Sequence, residues 1–106
     1  MKMRKAEVFV RNKAAGILSE LIPGKEYTFE YIDGYQGHPV SLTMPVVQKR
    51  YSFNRFPPFF DGLLPEGFQL EGLLNQSNIE RDDFFSQLML VGNDMVGAVT
   101  VKETHE

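Results

Sequence analysis

Two carboxylate pairs, Glu66 with Glu71 and Asp82 with Asp83, come nearest in this chain to a general acid–base arrangement, one carboxyl giving a proton while the other takes one. Simpler roles account for both pairs. Asp82 and Asp83 precede an apolar helical repeat, where the unpaired amides of a helix start favour negative charge, and Glu66 and Glu71 suit a solvated helix face. Phosphoryl transfer needs groups that cradle phosphate and hold magnesium. The sequence has no G-x-x-x-x-G-K-(S/T), no G-x-G-x-x-G and no H-R-D-like loop, and Pro23-Gly24-Lys25 reads only as a turn. His38 and His105 each lack a second histidine or a cysteine at metal-ligand spacing. The expectation is a protein with no catalytic residues, no cofactor and no metal, acting by binding.

Composition agrees with a binding role. The 106 residues are enough for one domain, residues 1–106, and 42% of them are apolar, which provides a core. A net charge of −3 provides no broad basic field to neutralise phosphates, so direct nucleic-acid binding is not expected. Lys2, Arg4 and Lys5 form the one local basic group and read as a solvated end. Without cysteine there is no disulfide framework or thiolate chemistry. With no secretory pattern and no apolar run near the length of a membrane span, the chain is expected to be soluble, cytoplasmic and monomeric when isolated.

The pattern along the chain puts strands first and helices later. Ala6, Val8 and Val10 alternate with Glu7, Phe9 and Arg11, the period of a strand with one buried face, and Asn12-Lys13 follows as a turn. A looser second strand sets Ala15, Ile17 and Leu21 against Gly16, Ser19 and Glu20, and Pro23-Gly24 signals a type II turn. Tyr27, Phe29 and Tyr31 make an aromatic stripe on the third strand, the usual material of a core. Val40, Leu42 and Met44 alternate with Ser41 and Thr43, which predicts a fourth strand ended by Pro45. Helices are expected from near Pro57-Pro58 to Pro65, from about Glu66 to Asn75, and a third with Asp82 and Asp83 at its positive end, carrying Phe84, Leu88 and Val91, with Gly92 at the C-prime position; a closing strand covers Val96 to Val101. This is an α+β chain: a small, mainly antiparallel sheet or open barrel with two or three helices packed on one side.

Two segments stand apart from this framework. Phe60, Leu63 and Leu64 have the spacing of one helical face inside Phe59-Phe-Asp-Gly-Leu-Leu-Pro-Glu-Gly67, and Pro65 then interrupts the run. Further on, Gly92-Asn-Asp-Met-Val-Gly-Ala-Val-Thr100 reads as a helix stop, a turn and a strand. In their order and spacing the two resemble the amino-terminal subdomain of HipA-type toxin kinases, in which an FF-(D/E)-x-LLP-(D/E) segment is followed by a G-(R/N)-D-x-VGAV element. The kinase body of those proteins does not follow here. The chain therefore looks like HipS, the small member of three-part HipBST toxin–antitoxin systems. The resemblance implies an antitoxin that binds and inhibits a separate HipT-like serine/threonine kinase, in a complex with a HipB-like DNA-binding protein.

A helix over residues 66–75 would bury Leu70, Leu73 and Leu74 and turn Phe68 about 160° from the centre of that face, beside Gly72 and Asn75, at roughly 100° per residue. An exposed aromatic makes a good anchor for a partner's pocket; a later helix start would turn Phe68 into the core instead. In HipS-like proteins the resemblance places a bulky aromatic, often tryptophan, in this region and into the kinase active site. Here Phe68 keeps the apolar bulk without an indole N–H donor. The expected partner-binding residues are Phe68, Gly67, Glu66, Pro65, Leu64 and Asp61. Two other roles are open: a structural subunit that completes a split HipA-type kinase without inhibiting it, and a free-standing binder that uses an exposed Tyr27, Phe29, Tyr31 stripe.

Overall fold

The computed structural model describes residues 3–64, 67–92 and 98–104, with Gly67 and Phe68 described by backbone alone. Five strands, β1 (Arg4–Val10), β2 (Lys13–Ile22), β3 (Glu26–Tyr31), β4 (Arg50–Phe53) and β5 (Val99–Thr104), form one antiparallel sheet in the order β4-β3-β2-β1-β5. The helices are α1 (Pro58–Asp61), α2 (Gly67–Ser77) and α3 (Phe84–Val91). The class is α+β as the sequence implies, and the sheet is open, with β4 and β5 as its edges.

The first hairpin turn lies at Arg11-Asn12, one residue earlier than the expected Asn12-Lys13, and the second lies where Pro23-Gly24 predicts it. Arg11 and Asn12 have φ of 51° and 66°, the positive values that a two-residue turn matched to strand twist requires, and Val10 pairs with Lys13 across it. Gly24, at φ 76°, follows Pro23 in a turn closed by the Lys25 N–H donating to the Ile22 carbonyl at 2.9 Å.

The second strand departs from the expected pattern. Val8 pairs with Gly16 but Phe9 pairs with Ala14, so Ala15 is an extra residue in the ladder. This bulge changes the phase of the rest of β2. Leu18 and Glu20 face the core, while Ile17, expected inside, is half-exposed on the other face. The aromatic stripe is core as expected: Tyr27, Phe29 and Tyr31 are at most 2% exposed. Phe60 of α1, Phe85 and Leu88 of α3, and Val8 and Val101 complete the packing on that face.

The predicted fourth strand at Val40–Met44 is a turn. Met44 N–H donates to the Ser41 carbonyl at 3.0 Å, and Leu42 at its tip is 94% exposed. Val40 and Met44 are buried for another reason: the Tyr31 hydroxyl accepts from the Val40 N–H and donates to the Met44 carbonyl. The true fourth strand, Arg50–Phe53, pairs with β3. The closing strand lies later than expected, at Val99–Thr104, and residues 93–97 of the second motif fall outside the described residues.

Candidate functional site

The FF-D-G-L-L segment is anchored by one face. Pro57 stands at the N-cap position of α1 without a side-chain cap bond, and Pro58 occupies a first-turn position where an N–H would be unpaired in any case. Helix α1 is shorter than expected, ending at Asp61. The chain continues in turns closed by Leu63 N–H on the Phe60 carbonyl (3.1 Å) and Leu64 N–H on the Asp61 carbonyl (3.2 Å). Phe60 is fully buried, with its ring 6.1 Å from that of Phe29, and Leu63 and Leu64 pack half-buried on the core. Of the expected contact residues, Leu64 is thus partly taken up by the core, while Asp61 is exposed. Pro65 and Glu66 lie outside the described residues. Gly67 opens α2 and Phe68 falls in its first turn; the Phe68 side chain is also outside the described residues.

Helix α2 does not bury the face its leucines define. Leu70, Leu73 and Leu74 share one side but are only half-buried, and none joins the core. The face of the sheet where they would pack is already filled by Phe60, Phe85, Leu88 and the loop residues Tyr35, Val40 and Met44. Glu71, one of the possible acid–base carboxylates, instead pairs with Arg81, both largely exposed. The segment expected to dock therefore leads into a helix with an incompletely covered apolar side.

Helix α3 is held by a polar network. Asp83 is its N-cap, accepting from the Ser86 N–H at 3.2 Å and the Ser86 hydroxyl at 2.7 Å. Arg4 donates to Asp83 at 2.9 Å, to Ser86 Oγ at 2.7 Å and to Glu20 at 2.6 Å, and its guanidinium lies 4.9 Å over the Phe85 ring. Arg4 is therefore no part of a solvated end, correcting that reading. The Tyr27 hydroxyl completes the network, donating to Glu20 at 2.9 Å and accepting from the Gly24 N–H at 2.8 Å. Burial would lower the Arg4 pKa, but the bonds to Glu20 and Asp83 raise it. Burial pushes the Tyr27 hydroxyl up to about 12. Gln87, 1% exposed, donates to the Glu80 and Arg81 carbonyls and so fixes the chain between α2 and α3.

Two of the four carboxylates have structural roles, Asp83 as a helix cap and Glu71 in a surface ion pair, and Glu66 lies outside the described residues. Gly92 sits at the C-cap with a right-handed φ of −61°, so a left-handed C-prime conformation is not its reason. Close packing is: a Cβ there would lie 2.7 Å from the Val101 carbonyl oxygen. Among the described residues no group of three His, Cys, Asp or Glu could hold a metal ion, and no helix is long and apolar enough to cross a membrane. Sequence reasoning missed the Arg4–Glu20 pair, because nothing local marks residues that the bulge at Ala15 turns toward each other.

This architecture has relatives. A protein of Haemophilus influenzae, described only as an uncharacterized protein, is 33% identical over 101 residues, covering 95% of this chain and 93% of its own. A solved structure described as the N-terminal domain of HipA toxin superposes with a TM-score of 0.75 at 29% identity, covering 97% of this chain and 94% of that one. The model of the HipA N-terminal domain family matches residues 6–102, nearly the whole chain, with no kinase domain in that span. With the fold, the core-anchored FF-D-G-L-L segment and the sequence match in agreement, the chain belongs to the HipA N-terminal domain family.

Proposed function

We propose that this protein is a HipS-like antitoxin that binds a separate HipA-type serine/threonine kinase and inhibits it with the segment Asp61–Phe68, Phe68 entering the active site. The observation that carries the reading is the half-covered leucine row of α2, directly after a segment whose other side is fixed to the core. A helix in that state gains from burial against a partner, and the preceding loop is carried to the contact with it. The match of nearly the whole chain to an amino-terminal domain, and a relative of similar extent in Haemophilus influenzae, support a unit that works beside a kinase encoded apart. The assembly would include a HipB-like helix-turn-helix protein that supplies the DNA contacts, and would act in the cytoplasm.

A second reading uses the same surface: the chain completes a split kinase as a structural subunit. The half-covered leucines favour it equally, and the sign of the rate change separates the two. The third reading, a ligand site on the Tyr27, Phe29, Tyr31 stripe, is set aside because that stripe is buried. The test is autophosphorylation of the purified partner kinase with and without this chain. Inhibition by wild type that is lost in Phe68→Ala supports the antitoxin reading; an unchanged or raised rate supports the subunit. Full inhibition by Phe68→Ala overturns the plug.

A further inference from the structure

The eleven Lys and Arg residues look scattered along the sequence, but three of them converge in space. Lys25 in the β2–β3 turn, Arg50 at the start of β4 and Arg55 just past its end line one groove of about 770 Å³. All three are exposed, and none has a side-chain ion-pair partner among the described residues. Glu26 is the one carboxylate in the described lining. The neighbouring part of the sheet differs: there Lys49 is neutralised by Asp33 and Glu30. An acidic protein thus keeps a groove whose described lining is net positive, three cations to one carboxylate.

That place is also a free strand edge. Tyr31 N–H donates to the Lys49 carbonyl at 2.9 Å, so Tyr31/Lys49, Phe29/Tyr51 and Tyr27/Phe53 are the pairs whose backbone groups face each other. The backbone groups of Arg50 and Ser52 therefore point away from the sheet. Gln48 Nε2 occupies the Arg50 carbonyl at 2.8 Å; the Arg50 N–H and both backbone groups of Ser52 have no partner among the described residues. Leu21 and Phe53 give the groove an apolar wall.

We propose that the β4 edge takes up an extended acidic segment of a protein partner as an added strand. Its backbone pairs with Arg50 and Ser52, and its carboxylates meet Lys25, Arg50 and Arg55. A peptide fits better than a nucleic acid. The edge offers an acceptor, the Ser52 carbonyl, which a phosphate backbone leaves unsatisfied, and Glu26 with the net charge of −3 opposes a long polyanion. The proposal does not depend on residues 61–68, so its failure would leave the kinase reading standing.

The test titrates the full chain, labelled with nitrogen-15, with an acetylated Val-Glu-Val-Glu-Val-Glu amide. Amide shifts and slowed hydrogen exchange at Arg50 and Ser52 are expected, with affinity falling as salt rises. The exposed substitutions Arg50→Glu and Arg55→Glu should each weaken binding by about tenfold or more while the circular dichroism spectrum stays native. The same peptide N-methylated at alternate residues should lose binding. The proposal is overturned if the probe does not bind, or if a Val-Lys peptide or the N-methylated peptide binds equally well. It is equally overturned if the shifts map to β5, or if inorganic phosphate or an oligothymidylate reproduces them at the same affinity.

Discussion

Arg4 donates a hydrogen bond to Asp83 across seventy-nine residues of chain, joining the first strand to the N-cap of α3, and the same guanidinium neutralises Glu20, 4% exposed. Arg4→Met would keep much of the stem's packing and leave Glu20 with a buried, uncompensated charge. Loss of one partner from a buried pair costs about 3–5 kcal/mol. With Arg4 and Asp83 each about one-third exposed, the expected loss is about 2–4 kcal/mol, read as a lower urea midpoint at unchanged slope.

The network also fixes the limits of pH. At Asp83 burial raises the carboxyl pKa, but the hydrogen bonds from Arg4 and Ser86 outweigh it and hold the group below its ordinary 3.8. Its contribution is complete above 3.8 and is lost as pH falls through the lower folded value, because the unfolded chain takes up a proton that the folded chain refuses. At Tyr27 the sign reverses. Its hydroxyl rises from 10.0 to about 12, so its contribution is complete below pH 10.0 and fades toward 12. Urea unfolding of Asp83→Asn should show a shallower acid limb than wild type, and Tyr27→Phe a shallower alkaline one.

Two glycines should respond in opposite ways to alanine. At Gly16 a Cβ would meet the Glu30 carbonyl oxygen at 2.5 Å and the Phe29 ring at 2.6 Å, and the backbone atom has nowhere to move. Gly16→Ala is expected to cost about 1–3 kcal/mol or more. Gly72 lies within α2 with nothing near its would-be Cβ, so Gly72→Ala should stabilise by about 0.5–1 kcal/mol. Thermal melts of the two variants give the comparison.

Helix α2 should open before the sheet does. With its leucines half-covered and outside the core, its amides are expected to exchange first in native-state hydrogen exchange, well before those of β1 to β3. Leu73→Ala should cost about 1 kcal/mol or less, against about 2–5 for Leu88→Ala, which is fully buried. A kinase of the proposed kind should, on binding, slow exchange in α2 selectively.

The elements legible in the sequence were those whose cause is local. Pro23-Gly24 dictates its turn, Asp83 its helix start, and Phe60, Leu63 and Leu64 their common face, because each rests on neighbours within a few residues. The fourth strand was not legible. Val40 to Met44 alternates more strongly than Arg50 to Phe53, yet the Tyr31 hydroxyl draws Val40 and Met44 inward as a turn and leaves the edge to the later run. The reach of Arg4 to Glu20 and Asp83 was hidden for the same reason: its partners are brought near by pairing between distant segments. In the segment proposed to dock, the anchoring side could be read from spacing, whereas the weak cover over α2 depends on how much room the remaining elements leave.

The extra residue at Ala15 gives the first hairpin an uneven tolerance to changes in gene length. Losing the Ala15 codon would let Gly16 follow Ala14 directly, and every downstream partner from Val8–Gly16 to Arg4–Glu20 would stay in step. Losing the codon for Ile17 would close the bulge as well, with Gly16 opposite Glu7 and Leu18 and Glu20 still opposite Ala6 and Arg4, but it would move Ala15 into the tight place of Gly16, where a Cβ meets the Glu30 carbonyl oxygen. Deletions two positions apart in one strand would thus share a register and differ in a single steric contact.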